Sequence, residues 1–208
     1  MKFSFNISNA ILVLAFCLSS AATLAASPLK SGDLIFHKSQ GPQAAAILEA
    51  TGSSWSHVGI VFEDQGEWVV AEASMPVRIV PLKHFINRGK NKDYRIYRAR
   101  NLSATQILAL RSAVEKELGK PYDLYFEWSD EAIYCSELVY KVFHAAAGID
   151  LGTIQKFSDL KLNGPYVQKL IQQRLKNTGR HLNLDEAIVT PINQMRDSNL
   201  DLIYRTGP

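Results

Sequence analysis

Cysteine is nearly missing from this chain: 208 residues contain two, Cys17 and Cys135. Charge of one sign is missing as well. Lys and Arg number 23 against 20 Asp and Glu, a formal net charge of +3. That is too small an excess for a phosphate backbone. There is also no basic run and no RNA-binding aromatic motif, so nucleic acid is not an expected partner. No histidine is spaced with cysteine or carboxylate as a metal ligand set, so neither a zinc site nor another cofactor is expected. Internal repeats and low-complexity linkers are absent. What remains is an ordinary globular composition, 47% hydrophobic and 21% charged, over a length that suits one domain with a real core.

The first 26 residues differ in kind. Lys2 is the only charge before Lys30, an apolar run extends from Ala10 to Cys17, and small residues follow in "SSAATLAAS". This is the pattern of a secretory signal peptide, with cleavage expected after Ala25 or Ala26. The alternatives are an uncleaved membrane anchor, for which the apolar run is short, and a lipoprotein acylated at Cys17, where Phe16 replaces the expected small residue. Export to a periplasmic or extracellular location leaves residues 27–208 as the working domain. With Lys2 and Cys17 gone, 22 basic residues face 20 acidic ones and one thiol is left, unable to form an internal disulfide. A lone thiol in an oxidising compartment must be buried or used.

Strand signals dominate the first half. "SGDLIFHKS" turns and then becomes a strand. "WSHVGIVFED" and "EWVVAEAS" flank "DQGE" as a hairpin, and "VRIVPL" and "YRIYRAR" add two strands. "QAAAILEATG" has helical composition and stops at Gly52. Helices dominate the second half. Ser103 caps a helix carrying Ile107, Leu110, Val114 and Leu118 at helical spacing. Another helix is expected from near Tyr134 to Ala147, stopped by Gly148. "PYVQKLIQQRLKNTG" is a third, and a Thr-Pro helix start precedes an edge strand over 200–205. The order predicts α+β with an antiparallel sheet.

Cys135 sits at the predicted start of the helix beginning "YCSELV". A helix N-terminus lowers a thiol pKa, as does a neighbouring imidazolium, and the thiolate is the nucleophilic form. A core cysteine is the alternative, but the helix start favours use. Of five histidines, His57 has the most suggestive setting. It lies on a strand and shares a face with Gly59 and Val61, and Gly59 leaves room for another backbone or a helix end to approach. His37 ends the first strand, where "HKS" reads as a surface turn, His84 lies in a short surface helix, His144 in a helix body and His181 in the polar tail. Glu72, late in the next strand, could orient the imidazole across the hairpin, because a carboxylate within an apolar strand is costly without a partner. A solvated edge glutamate is the alternative. Tyr122, in "GKPYD", could donate to an oxyanion.

The residues "GDLIF", "SHVGIV", "GKPYD" and "YCSELV" resemble the NlpC-type papain-like cysteine hydrolases of bacterial envelopes. In ordinary members the cysteine segment precedes the Gly-Asp and His-Val-Gly strands. Here it follows them, which resembles the circularly permuted YiiX/YaeF-like amidase group over the whole predicted domain. The resemblance implies a papain-like α+β fold with an antiparallel sheet packed against the cysteine helix. It implies a Cys135–His57 dyad with Glu72 as orienting residue, and Tyr122 from the Pro-Tyr motif. It also implies hydrolysis of an amide or ester, or acyl transfer, through a thioester, with a cell-envelope peptide or a lipid acyl-amide as substrate; a monomer is the default expectation for the working form. A binding module without turnover is the competing class. "FSDLKLNGPYVQKLIQQ" and the aromatics Tyr122, Tyr125, Phe126 and Trp128 could wall an acyl groove, though core packing is the plainer account of them.

Overall fold

The computed structural model describes residues 29–206 apart from Asn177. The expected signal peptide, Cys17 and the cleavage site lie outside the described residues. Among those described, no helix is long and apolar enough to cross a membrane.

The strands are β1 (Leu34–His37), β2 (His57–Asp64), β3 (Glu67–Glu72), β4 (Arg78–Pro81), β5 (Tyr94–Ala99), β6 (Gln155–Lys156), β7 (Ala187–Ile188) and β8 (Leu200–Arg205). The helices are α1 (Pro42–Thr51), α2 (Leu82–Arg88), α3 (Ala104–Glu117), α4 (Cys135–Ala147), α5 (Pro165–Leu175) and α6 (Pro191–Met195). Six strands form one sheet in the order β4-β3-β2-β1-β5-β8, with every neighbouring pair antiparallel; β6 and β7 pair separately. This is the α+β architecture expected from the sequence.

Period-2 alternation divides the sheet residues between two cores. Leu34, Phe36, Val58, Ile60 and Phe62 pack with Leu110 and Val114 of α3 and with Leu138, Val139, Val142 and Phe143 of α4. Ile35, Val61, Val70 and Ile96 pack on the other side with Phe85 of α2. Truncating Leu138 of α4 to alanine would cost about 2–5 kcal/mol.

Local chemistry explains the boundaries. The β2–β3 turn is Gln65–Gly66, both at positive φ (53° and 85°), the conformation a two-residue hairpin needs. Ser103 accepts from the Gln106 N–H while the Gln106 side chain accepts from the Ser103 N–H, a complete capping box for α3. α4 ends at Gly148, in the left-handed conformation at φ 66°. Asp33 of the Gly-Asp motif is structural. Its carboxylate accepts from Arg98 Nε at 2.7 Å and from Nη2 at 2.8 Å, tying the start of β1 to β5.

Candidate active site

Cys135 is the first residue of α4 and is 2% exposed. Its position is set by the segment after β7. The Ser136 hydroxyl donates to the Val189 carbonyl at 2.9 Å, and the Val189 N–H donates to the Tyr134 hydroxyl at 3.2 Å. The fully buried Gln194 donates to the Ser136 carbonyl at 2.8 Å. Glu137, also buried, accepts from the Tyr134 N–H at 3.2 Å and pairs with Lys141 at 2.9 Å. Of these fastenings only the Glu137 pair is local. The rest come from more than fifty residues downstream, so reading α4 alone could not reveal them.

His57 opens β2. The pairing of Ile60 with Ala71 puts Glu72 opposite Gly59, on the same face as His57 and one diagonal step away. The contact forms: His57 Nε2 and Glu72 Oε2 are 2.7 Å apart. Glu72 is fully buried, and its other oxygen accepts from Arg78 Nε at 3.1 Å and Arg88 Nη2 at 2.5 Å. A solvated edge glutamate is therefore not what the sheet holds. With Nε2 engaged, Nδ1 is the ring nitrogen left for Cys135, whose side chain hydrogen-bonds His57. α4 packs on the opposite face of β2, and Cys135 meets the imidazole at the strand's N-terminal end.

Electrostatics favour an ion pair. Burial disfavours a charged His57, but hydrogen bonds and negative charge from Cys135 and Glu72 outweigh it and raise the ring to about 9. Burial likewise opposes the Cys135 thiolate. The His57 hydrogen bond and charge, with N–H groups of Val58 and Ser136, win and lower the thiol pKa. Burial also works against the Glu72 carboxylate, yet His57 and Arg88 bring it down to about 2.

Of two expectations about this neighbourhood, the one at Gly59 holds and the one at His37 needs correction. The space beside Gly59 is filled by the Val70 side chain, the Ala71 carbonyl and the Phe85 ring of α2. The glycine thus lets the β3 backbone and α2 approach, as its place on the strand suggested. His37 ends β1 as expected, but it is 1% exposed, not at the surface. It closes a central strand, directly opposite His57 in the β1–β2 register. Its ring stacks on Phe85 at 4.3 Å and lies 5.2 Å from the His57 ring. Gly89 makes the burial feasible, because a Cβ there would sit 3.0 Å from His37 Nδ1. Burial first, then the positive charges of His57 and Arg88, push His37 down to about 3, so it stays neutral.

Tyr122 is held by a parallel bridge to Ile133 and hydrogen-bonds Cys135. Burial and the nearby Cys135 thiolate raise the phenol well above its ordinary value, so it keeps its proton. Its oxygen accepts from Gln43 Nε2 at 2.8 Å. His84, His144 and His181 are all exposed and stand apart from this group.

Two hollows meet here. One encloses about 780 Å³, mouth included, and reaches Cys135 and Ser136; its walls are almost wholly apolar, among them Ile47, Phe126, Phe157, Leu160, Leu170 and Ile171. The "FSDLKLNGPYVQKLIQQ" segment and Tyr125 and Phe126 thus line a cavity, where plain core packing was the simpler expectation. Tyr122, which borders the polar hollow instead, Trp128 and Tyr166 do not join them. Trp128 packs edge-on against Tyr140, and Tyr166 is 58% exposed. The second hollow, about 850 Å³, is polar, with His37, Ser39, Gln43, His57, Arg88 and Tyr122 around it. Ile47 and Leu124 border both.

Residues 28–204 match the family of permuted papain-like amidase enzymes of the YaeF/YiiX type, peptidase family C92. The chain belongs to that family. It is therefore a papain-like amidase, a cysteine hydrolase by class, whose cysteine segment follows its strands. The uncharacterized protein YiiX of Escherichia coli K12 is 37% identical over 184 residues, covering 88% of this chain and 89% of YiiX. A crystal structure described as the metalloprotein yiiX from Escherichia coli O157:H7 superposes with a TM-score of 0.81. That match is 36% identical and covers 86% of this chain and 98% of that one. Among the described residues of this amidase, no three His, Cys, Asp or Glu side chains are grouped so as to hold a metal ion.

Proposed function

We propose that this chain is an exported cysteine amidase that hydrolyses the amide or ester of an apolar acyl chain in the cell envelope. Cys135 is the nucleophile, His57 the acid–base, Glu72 the orienting carboxylate and Tyr122 an oxyanion donor. The observation that carries the reading is the apolar cavity ending on Cys135. A hydrolase for polar stem peptides gains little from such a wall, whereas an acyl chain buried in it gains about 0.8 kcal/mol per methylene.

The Cys135 thiolate attacks the acyl carbonyl, forming an S–C bond and an oxyanion. The Tyr122 O–H and N–H groups at the start of α4 stabilise that charge. The His57 imidazolium gives its Nδ1 proton to the leaving nitrogen, the C–N bond breaks, and a thioester remains. Water then adds to the thioester while His57 takes its proton. The acid departs, and the thiolate–imidazolium pair is restored. Glu72 stays ionised on Nε2 throughout. The polar hollow lies on the other side of Ile47 and Leu124 and receives the leaving group.

The test uses purified protein with p-nitrophenyl octanoate, p-nitrophenyl acetate, an N-octanoyl amine and muropeptides. Intact mass spectrometry follows acylation. An octanoyl adduct on Cys135, and octanoyl substrates preferred over acetyl by at least tenfold, are expected. Cleavage of muropeptides with no preference for long acyl chains would replace lipid by peptide as the substrate class.

A further inference from the structure

Behind Tyr122 lies a line of hydrogen bonds that joins two helices. Arg174 Nη2 donates to Gln43 Oε1 at 2.7 Å, and Gln43 Nε2 donates to the Tyr122 hydroxyl oxygen at 2.8 Å. The direction is fixed by chemistry. A guanidinium has donors only, so Gln43 must turn its carbonyl to Arg174 and its NH₂ to the tyrosine. The phenol oxygen is then an acceptor on that side. Its own proton is free to point the other way, toward Cys135.

The line is held at both ends. α1 and α5 run antiparallel, with Gln43 beside Arg174 at one end. At the other, the Val167 N–H donates to Glu49 Oε2 at 2.9 Å, and Gly164 leaves the room that the Glu49 carboxylate fills. Arg174 is fixed further by the Leu124 carbonyl, which accepts from Nη1, and by the Phe126 ring, 5.2 Å from its guanidinium. Tyr122 is held on the cysteine side, since the Ile133 N–H donates to the Pro121 carbonyl at 3.1 Å and the Asp123 N–H to the Ile133 carbonyl at 3.2 Å. Each member therefore has one available orientation.

We infer that Gln43 and Arg174 are positioning residues: together they set the Tyr122 hydroxyl as a donor to the oxyanion that forms at Cys135. A charged arginine beside an apolar cavity is costly to keep, and aiming the tyrosine is the service it performs there. The inference rests on the thioester reading proposed above.

Gln43→Glu separates this role from a structural one. A carboxylate still accepts from Arg174, so the α1–α5 contact is kept, but it cannot donate to Tyr122. It accepts the phenol proton instead and turns it away from the cysteine. Tyr122→Phe is the comparison. With p-nitrophenyl octanoate, both variants should lose about 100-fold in kcat, the scale of one oxyanion donor, with KM little changed. The double variant should be no slower than either single one. Iodoacetamide should still label Cys135 in all three below the pH range of a free thiol, since the His57–Glu72 contact is untouched. A Gln43→Glu enzyme with wild-type kcat, or losses that multiply in the double variant, would overturn the inference alone. Wild-type protein that never acylates Cys135 would sink the hydrolase reading and this inference together.

Discussion

Glu72 grips His57 by the nitrogen that faces away from the cysteine. The 2.7 Å contact to Nε2 leaves Nδ1 to meet Cys135, and two arginines on the other carboxylate oxygen hold Glu72 in place. The imidazole thus has one tautomer and one ring orientation suited to exchanging a proton with sulfur. β-sheet register supplies this arrangement, because His57 and Glu72 are diagonal neighbours on one face of a hairpin. The helix supplies the sulfur from the opposite face.

Glu72→Gln should lower kcat by about 100-fold, the cost of a small misplacement of a reacting group. The amide can still bond the ring but no longer holds its positive charge. The midpoint for iodoacetamide labelling of Cys135 should therefore move to higher pH. An unchanged midpoint would reduce Glu72 to an anchor for Arg78 and Arg88.

Filling the apolar cavity should shorten the acyl chain the enzyme accepts. Ile171→Trp adds bulk to a lining position remote from the dyad in sequence. Octanoyl ester turnover should fall relative to acetyl ester by about tenfold or more, since one misplaced methylene alone is worth about that much. Equal losses on both esters would mean that the chain does not occupy this cavity.

Much of this fold was legible because its signals are local. α4 could be bounded from Tyr134 to Gly148 by its apolar spacing and a terminal glycine, and the β2–β3 hairpin by "DQGE". Cys135, His57 and Glu72 were nameable because helix start, strand face and hairpin pairing all follow from short-range patterns. His37 was not. A histidine at a strand end looks solvated until α2 folds over it with Gly89 at the contact. Gln43 and Arg174 were invisible for a stronger reason: 131 residues separate them, and nothing in either neighbourhood announces the other. The cavity is the same case, since α1 and α5 must pack before its wall exists.

His37 should make the protein acid-labile. Its pKa falls from 6.5 to about 3 on folding, among His57, Glu72 and Arg88. In the unfolded chain it is protonated below 6.5, whereas the folded protein resists that proton until about pH 3. The stability it contributes is thus present above 6.5 and is lost as pH falls toward 3. Between pH 7 and pH 4 the loss is on the order of 3 kcal/mol. Urea unfolding at both pH values should show this loss in wild type and much less in His37→Phe, which keeps the stack on Phe85. Parallel losses in the two proteins would show that His37 is not the group titrating.

Labelling and turnover should part company at high pH. The Cys135 thiolate forms as pH rises through its lowered pKa, so both alkylation and amide hydrolysis switch on there, below the range of a free thiol. Near pH 9 His57 gives up its proton. The thiolate survives that loss and alkylation stays on a plateau. Hydrolysis needs the imidazolium to protonate the leaving nitrogen, so it falls. The amide profile should be a bell with an upper limb near 9, and the labelling profile a single rise. p-Nitrophenyl octanoate tests the cause, because its phenolate leaves without a proton and its profile should keep the plateau. A matching high-pH decline in alkylation would instead mean that the site itself is coming apart.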